Sequence, residues 1–217
     1  MRRLPVRALS ILLAALALAG PAAARGEKAG IFDYYILSLS WPPNWCALEG
    51  DARHDDQCDP RHDFSFTLHG LWPQYNRGYP SYCPSIQRPP SRAQTAAMAD
   101  VMGSGGLAWH EWNKHGRCTG LTAAAYYAKA RAAYDRIVIP QVFRQLNRAV
   151  KLPAKVVEQA FIEANPGLTP EMITITCDRG RVQEARVCLT RDLEPRPCER
   201  DVSRDCRMPD ALMDPVR

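Results

Sequence analysis

This 217-residue chain has no apolar run beyond its N-terminus long enough to span a bilayer, no C-x-x-C pair, no G-x-S-x-G elbow and no N-x-S/T sequon. The first absence leaves no stop-transfer pattern. The second takes away the spacing that most structural zinc sites use. The third removes the local signature of a serine hydrolase. Internal repeats, low-complexity tracts and linkers are also lacking, which predicts a single domain. Charge of either sign is modest: the formal net charge is +5, with 24% charged and 46% hydrophobic residues. That balance describes a globular chain with enough apolar material for a core.

The N-terminus carries Arg2, Arg3 and Arg7, then an apolar stretch over residues 8–20 broken only by Ser10, then Pro21-Ala22-Ala23-Ala24. Basic, apolar and small-residue segments in that order predict a signal peptide over residues 1–24, with the domain over 25–217 and no membrane anchor after cleavage. Removing three arginines and no acids lowers the net charge from +5 to +2. So weak a basic balance permits nucleic-acid binding without arguing for it.

Eight cysteines follow: Cys46, Cys58, Cys83, Cys118, Cys177, Cys188, Cys198 and Cys206. An even count in an exported chain predicts four disulfides, but eight cysteines allow about 105 pairings and their spacing leaves the choice open.

Residues 31–40 (IFDYYILSLS) read as a buried strand stopped by Pro42 and Pro43, and residues 64–69 as a second strand. Residues 48–61 read as a stapled loop, and the proline-rich residues 70–90 as a long one. Ser91 is placed to cap a helix to residue 102. Helices are predicted over residues 107–117, 122–146 (broken or kinked at Pro140) and 154–164. Residues 172–177 and 182–190 alternate like paired strands, and a polar tail tethered by Cys198 and Cys206 follows. Strands at both ends with helices grouped between them give an α+β order.

Five histidines lie beyond the leader. His54 and His62 sit in a polar loop beside aspartates and read as solvated. The other three lie in two segments of unusual composition: His69 in Thr67-Leu68-His69-Gly70-Leu71-Trp72-Pro73-Gln74, and His110 and His115 in His110-Glu111-Trp112-Asn113-Lys114-His115-Gly116-Arg117-Cys118. On a helix, Glu111 and His115 share a face, and His110 and Lys114 share the adjacent one. Burying so many charged groups for structure alone is costly, so they should face a cleft or solvent, with Trp109 and Trp112 anchoring the opposite side. His110 and His115 are five apart, about 140° around a helix, whereas the zinc-protease motif needs four. Two histidines without an evident protein nucleophile point instead to acid–base chemistry on a substrate that carries its own nucleophile. RNA does so in its 2′-OH. A lysine and a third histidine would stabilise charge on the phosphorane.

FTLHGLWPQ (residues 66–74) and HEWNKHGRC (residues 110–118) resemble the two active-site segments of the T2 ribonuclease family. FDYYILSLSWPPNWC (residues 32–46) and FIEANPGLTPEMITITC (residues 161–177) resemble its first strand and its later helix-to-strand passage. The resemblance implies an α+β domain around a central antiparallel sheet flanked by helices. It implies cleavage of mainly single-stranded RNA through a 2′,3′-cyclic phosphate by a monomer with no metal or cofactor. By position, His115 is the implied base and His69 the implied acid. Glu111 and Lys114 support the transition state, His110 contacts phosphate, and Trp72 and Gln74 contact the base. The implied disulfides are Cys46–Cys58, Cys83–Cys118, Cys177–Cys206 and Cys188–Cys198. Gln74 stands where many members carry an acid or another polar residue, which leaves base preference open, and Arg117 replaces a frequent threonine. The alanine-rich leader and the absence of sequons look most like the bacterial branch, which places the protein in the periplasm or outside the cell. Two other readings stand beside this one. A secreted binding protein would keep its effect without the histidines, and a metal-dependent hydrolase would lose activity to a chelator.

Overall fold

The aromatic and β-branched run near the N-terminus has no polar face to leave in water. In the computed structural model, which describes residues 27–217, it forms β1 (Tyr34–Ser40), buried along all but its last residue. Tyr35, Leu37 and Leu39 enter the main core, while Tyr34 and Ile36 enter a smaller cluster with Cys188 on the other side. The two prolines that end β1 also start a helix, α1 (Pro42–Trp45), because a proline at the first helical position loses only an N–H that has no intrahelical partner. The chain stays helical through a wide turn at Cys46–Gly50 into α2 (Asp51–Arg53). Half of the expected loop over 48–61 is therefore helix.

The second strand differs more from expectation. β2 covers Thr67–Gln74 and pairs antiparallel with β1, running through Gly70 and Pro73 where a loop is expected. β2 lies at one end of the sheet, and an edge strand tolerates a proline that cannot donate to the ladder. The predicted helix over 91–102 forms as two pieces, α3 (Arg92–Ala96) and α4 (Ala99–Met102). Ser91 does cap α3, accepting from the Gln94 N–H while the Gln94 side chain accepts from the Ser91 N–H. Ser104 caps α5 (Gly105–Lys114), and Thr122 caps α6 (Ala123–Asp135). α6 stops well before Pro140, which starts the short α7 (Gln141–Arg144). α8 (Ala154–Ala164) has the bounds its periodicity predicts.

Two short strands lay below the reach of pattern reading: β3 (Val150–Leu152) and β6 (Ala211–Met213). With β4 (Ile173–Asp178) and β5 (Arg181–Leu189) they complete a six-stranded sheet in the order β2-β1-β5-β6-β3, with β4 also on β5. All pairings are antiparallel except β5 with β6, which meet in parallel at Arg181 and Leu212. The tail is thus part of the sheet and not merely tethered to it. Asn44 locks it there: Nδ2 donates to the carbonyls of Val182 (2.7 Å) and Leu212 (2.9 Å), and Oδ1 accepts from the Asp214 N–H (2.8 Å). Helix side chains such as Trp112, Tyr126 and Phe161 pack on the sheet and are almost wholly buried.

The four disulfides pair as the resemblance implies: Cys46–Cys58, Cys83–Cys118, Cys177–Cys206 and Cys188–Cys198. Cys83–Cys118 closes the longest loop, with a sequence separation of 35. Removing that bridge in a Cys83→Ser/Cys118→Ser double variant is expected to lower stability by about 4 kcal/mol on the chain-entropy model, measured by denaturant unfolding. Among the described residues no helix is long and apolar enough to cross a membrane. The expected signal peptide over residues 1–24 lies outside the described residues.

Candidate active site

Leu68 and Leu71 are both fully buried in the main core, yet they stand three apart on β2, where a regular strand would turn them to opposite faces. The register explains how both are accommodated. Ser38 on β1 lies opposite Gly70, and Leu39 lies opposite Leu68, so His69 is the extra residue of a β-bulge. The bulge keeps both leucines in the core and turns His69 outward, its side chain 31% exposed, beside Trp72.

α5 faces this strand. Its inward stripe is Ala108, Glu111, Trp112 and His115, all buried. Its cleft side carries His110 and Lys114. Trp112 anchors the helix as predicted, packing near Tyr126. Trp109 does not; it is 44% exposed, because it falls about 60° outside the inward stripe. A cleft of about 550 Å³ brings together His69, Trp72, Gln74, His110, Glu111, Lys114 and His115, which are all the predicted site residues. Tyr79, Glu184, Arg186, Asp201 and Arg204 join them in its wall. A second cleft of about 440 Å³ adjoins it, sharing His69, His110 and Glu184.

Glu111 reaches across the Cα of Gly70. Its Oε2 accepts from Trp72 Nε1 at 2.6 Å, and its Oε1 lies 3.6 Å from His69 Nε2. Burial pushes the Glu111 carboxyl up, against the opposing pull of the His69 charge, the Trp72 hydrogen bond and Lys114. Trp72 is engaged on its ring as well. His115 stacks on it with centroids 5.1 Å apart, and the Arg186 guanidinium lies 5.2 Å over it. Gln74 is buried, and its Nε2 donates to the Pro73 carbonyl.

The two implied acid–base histidines sit in opposite electrostatic settings. His69 Nδ1 is hydrogen-bonded to Oε1 of Glu184, a residue of β5. Burial alone would lower the His69 pKa, but the Glu184 and Glu111 carboxylates outweigh it, and the net direction is upward. Burial likewise opposes charge on Glu184, yet His69 and Arg186 together hold its pKa down at about 2. His115, at the C-terminus of α5, is 4% exposed, and its Nδ1 has no partner among the described residues. Burial, reinforced by Lys114, His69 and His110, lowers its pKa to about 3. His110 is exposed, and its pKa is lowered by partial desolvation and by Lys114 and His69. The carboxylates therefore favour the charged form of the His69 imidazole, and burial favours the neutral form of His115.

Sequence reading missed Glu184, Arg186 and Tyr79. The first two alternate on β5 like ordinary outward residues of a strand, and only the sheet register sets them beside β2. Among the described residues, the one cluster with metal-ligand spacing is Cys46, Asp51 and Cys58. Its two sulfurs are joined in a disulfide and offer no thiolate.

The family model for the ribonuclease T2 family matches residues 32–198. The chain belongs to the ribonuclease T2 family. A ribonuclease of Aeromonas hydrophila is 46% identical over 107 residues, which cover 49% of this chain and 46% of that one. The extracellular ribonuclease LE of Solanum lycopersicum is 31% identical over 117 residues, covering 48% and 50%. The chain spans about half the length of the curated relatives it matches. The T2 fold extends further than this similarity. An RNase-related protein from Calystegia sepium superposes with a TM-score of 0.62 at 17% identity, over 85% of this chain and 97% of that one. Trichomaglin, described as an S-like ribonuclease, gives 0.64 at 20%, over 83% and 97%.

Proposed function

We propose that this T2-family protein is an endoribonuclease that cleaves single-stranded RNA without a metal, through a 2′,3′-cyclic phosphate. The observation that carries the reading is the pair of imidazoles in one cleft, one bonded to a carboxylate that favours its charged form and one buried in a setting that favours its neutral form. The neutral His115 takes the 2′-OH proton as that oxygen attacks phosphorus. The charged His69 gives its proton to the 5′-oxygen as the P–O5′ bond breaks. The products are a 2′,3′-cyclic phosphate and a free 5′-OH, and hydrolysis of the cycle runs the two roles in reverse. Lys114 and His110 stabilise the negative charge of the phosphorane, with Glu111 placed beside His69. Gln74, Trp72 and Tyr79, which is 51% exposed, line the side of the cleft that receives a base. Four disulfides and a leader of signal-peptide type support export to the periplasm or the medium.

The test is incubation of the oxidised protein with single-stranded RNA and matched DNA, with EDTA present, at pH 4–8. Cyclic phosphate ends on the RNA and intact DNA are expected; intact RNA, or activity abolished by EDTA, would overturn the reading. The pH dependence of kcat/KM has a defined sign. The base works only above its pKa, so the acidic limb set by His115 should lie well below the usual histidine range. The acid works only below its pKa, so the alkaline limb set by His69 should lie above that range.

A further inference from the structure

We infer that Glu184 is a positioning residue for this reaction: it fixes the ring and tautomer of His69 so that Nε2 carries the transferable proton into the cleft. The inference rests on the reading of His69 as the acid. Three observations on β5 and β2 carry it.

The Glu184 side chain is 2% exposed, so its charge has little access to water and must be met by the protein. Its two oxygens are divided. Oε2 accepts from Arg186, at 2.7 Å from Nε and 2.5 Å from Nη2, and Oε1 takes His69 Nδ1. A purely structural ion pair needs only the arginine. Here Arg186 occupies one oxygen and presents the other to the imidazole.

The second observation is the bulge. His69 is the one residue of β2 without a partner on β1, so pairing on its own strand does not fix the direction of its side chain. Across the sheet, Ser40 pairs with Glu184 on one side and with Thr67 on the other, which sets Glu184 two residues from the bulge in the β1 ladder. The bulge and the carboxylate are set together by the same register.

The third is what else faces the ring. Glu111, His110 and His115 come from α5, Arg186 from β5, and Trp72 meets the ring at a centroid distance of 5.2 Å. Glu111 Oε1 is on the Nε2 side, 3.6 Å away. No other carboxylate is bonded to Nδ1 among the described residues. An imidazole whose Nδ1–H is taken by a carboxylate has Nε2 as its working nitrogen, free to release a proton and to be reprotonated there.

Wild-type protein and Glu184→Gln are compared on single-stranded RNA from pH 4 to 9, with kcat and KM separated, and His69 is followed by 15N-resolved NMR. Glu184→Gln should lower kcat by about 10²-fold with little change in KM, and should move the alkaline limb to lower pH. Glu184→Asp should restore part of the kcat and part of the limb. A folded Glu184→Gln protein whose alkaline limb stays in place overturns the inference. If that variant does not fold, the wild-type spectrum decides: a proton on Nδ1 in both charge states supports the role, and a neutral ring protonated on Nε2 overturns it. Loss of RNA cleavage in the wild type itself would count against the functional reading, while the same titration would still judge the Glu184–His69 pair.

Discussion

Replacing His115 by alanine is expected to lower kcat/KM for RNA by about 10³- to 10⁴-fold, near the upper end of what a general base contributes. The imidazole is neutral across the working range, lines the cleft, and no other histidine there is both buried and free of a carboxylate. His69→Ala should cost a similar factor, and the double variant little more, because base and acid act in the same displacement at phosphorus and fail as a unit. His115→Phe adds a stability readout. Phenylalanine can keep the stacking on Trp72 and removes a buried nitrogen with no partner, so the melting temperature should hold or rise while activity is lost. A folded His115→Ala protein that keeps a tenth or more of wild-type kcat/KM would place the base elsewhere.

The second large effect comes from a residue with no side chain. A Cβ on Gly70 would lie 2.0 Å from Glu111 Oε2, 2.5 Å from Trp72 Nε1 and 2.8 Å from Glu111 Cδ. Glu111 cannot retreat cheaply, since it is buried and its oxygen accepts from Trp72. Gly70→Ala is therefore expected to break the Glu111–Trp72 hydrogen bond, tilt the ring on which His115 stacks, and lower kcat/KM by about 10²-fold. The strain should cost about 1–3 kcal/mol of stability by denaturant titration. Wild-type kinetics in Gly70→Ala would mean that Glu111 does not act from the position it holds here.

The site was legible in the sequence where its chemistry is local. His110, Glu111, Lys114 and His115 lie on one short helix, and helical spacing alone brings them to one side. His69 was legible as a residue type but not as a position. Gly70 and Pro73 read as the start of a loop and hid both the continuing strand and the bulge that turns His69 outward. Glu184 was out of reach for a different reason. Its partner is 115 residues away, and nothing near it distinguishes a catalytic neighbour from a solvated strand residue. In the fold, the helix cap at Ser91 was readable because its bond is made within three residues. β3 and β6 were not, since three residues carry no period, and each exists only because the other pairs with it.

That last pairing governs the order in which the domain can assemble. Among the described residues β3 pairs with the sheet only through β6, and β6 follows every other strand in the chain. Asn44, near the beginning of the domain, has both its carbonyl acceptors and its N–H donor in β5 and the β6 segment. Synthesis from the N-terminus therefore delivers the closing strand after all the others, and β3 remains without a partner until then. Such long-range closure makes for slow folding. In a nascent chain of this topology Val150–Leu152 therefore stays exposed as an unpaired segment until the last strand is made.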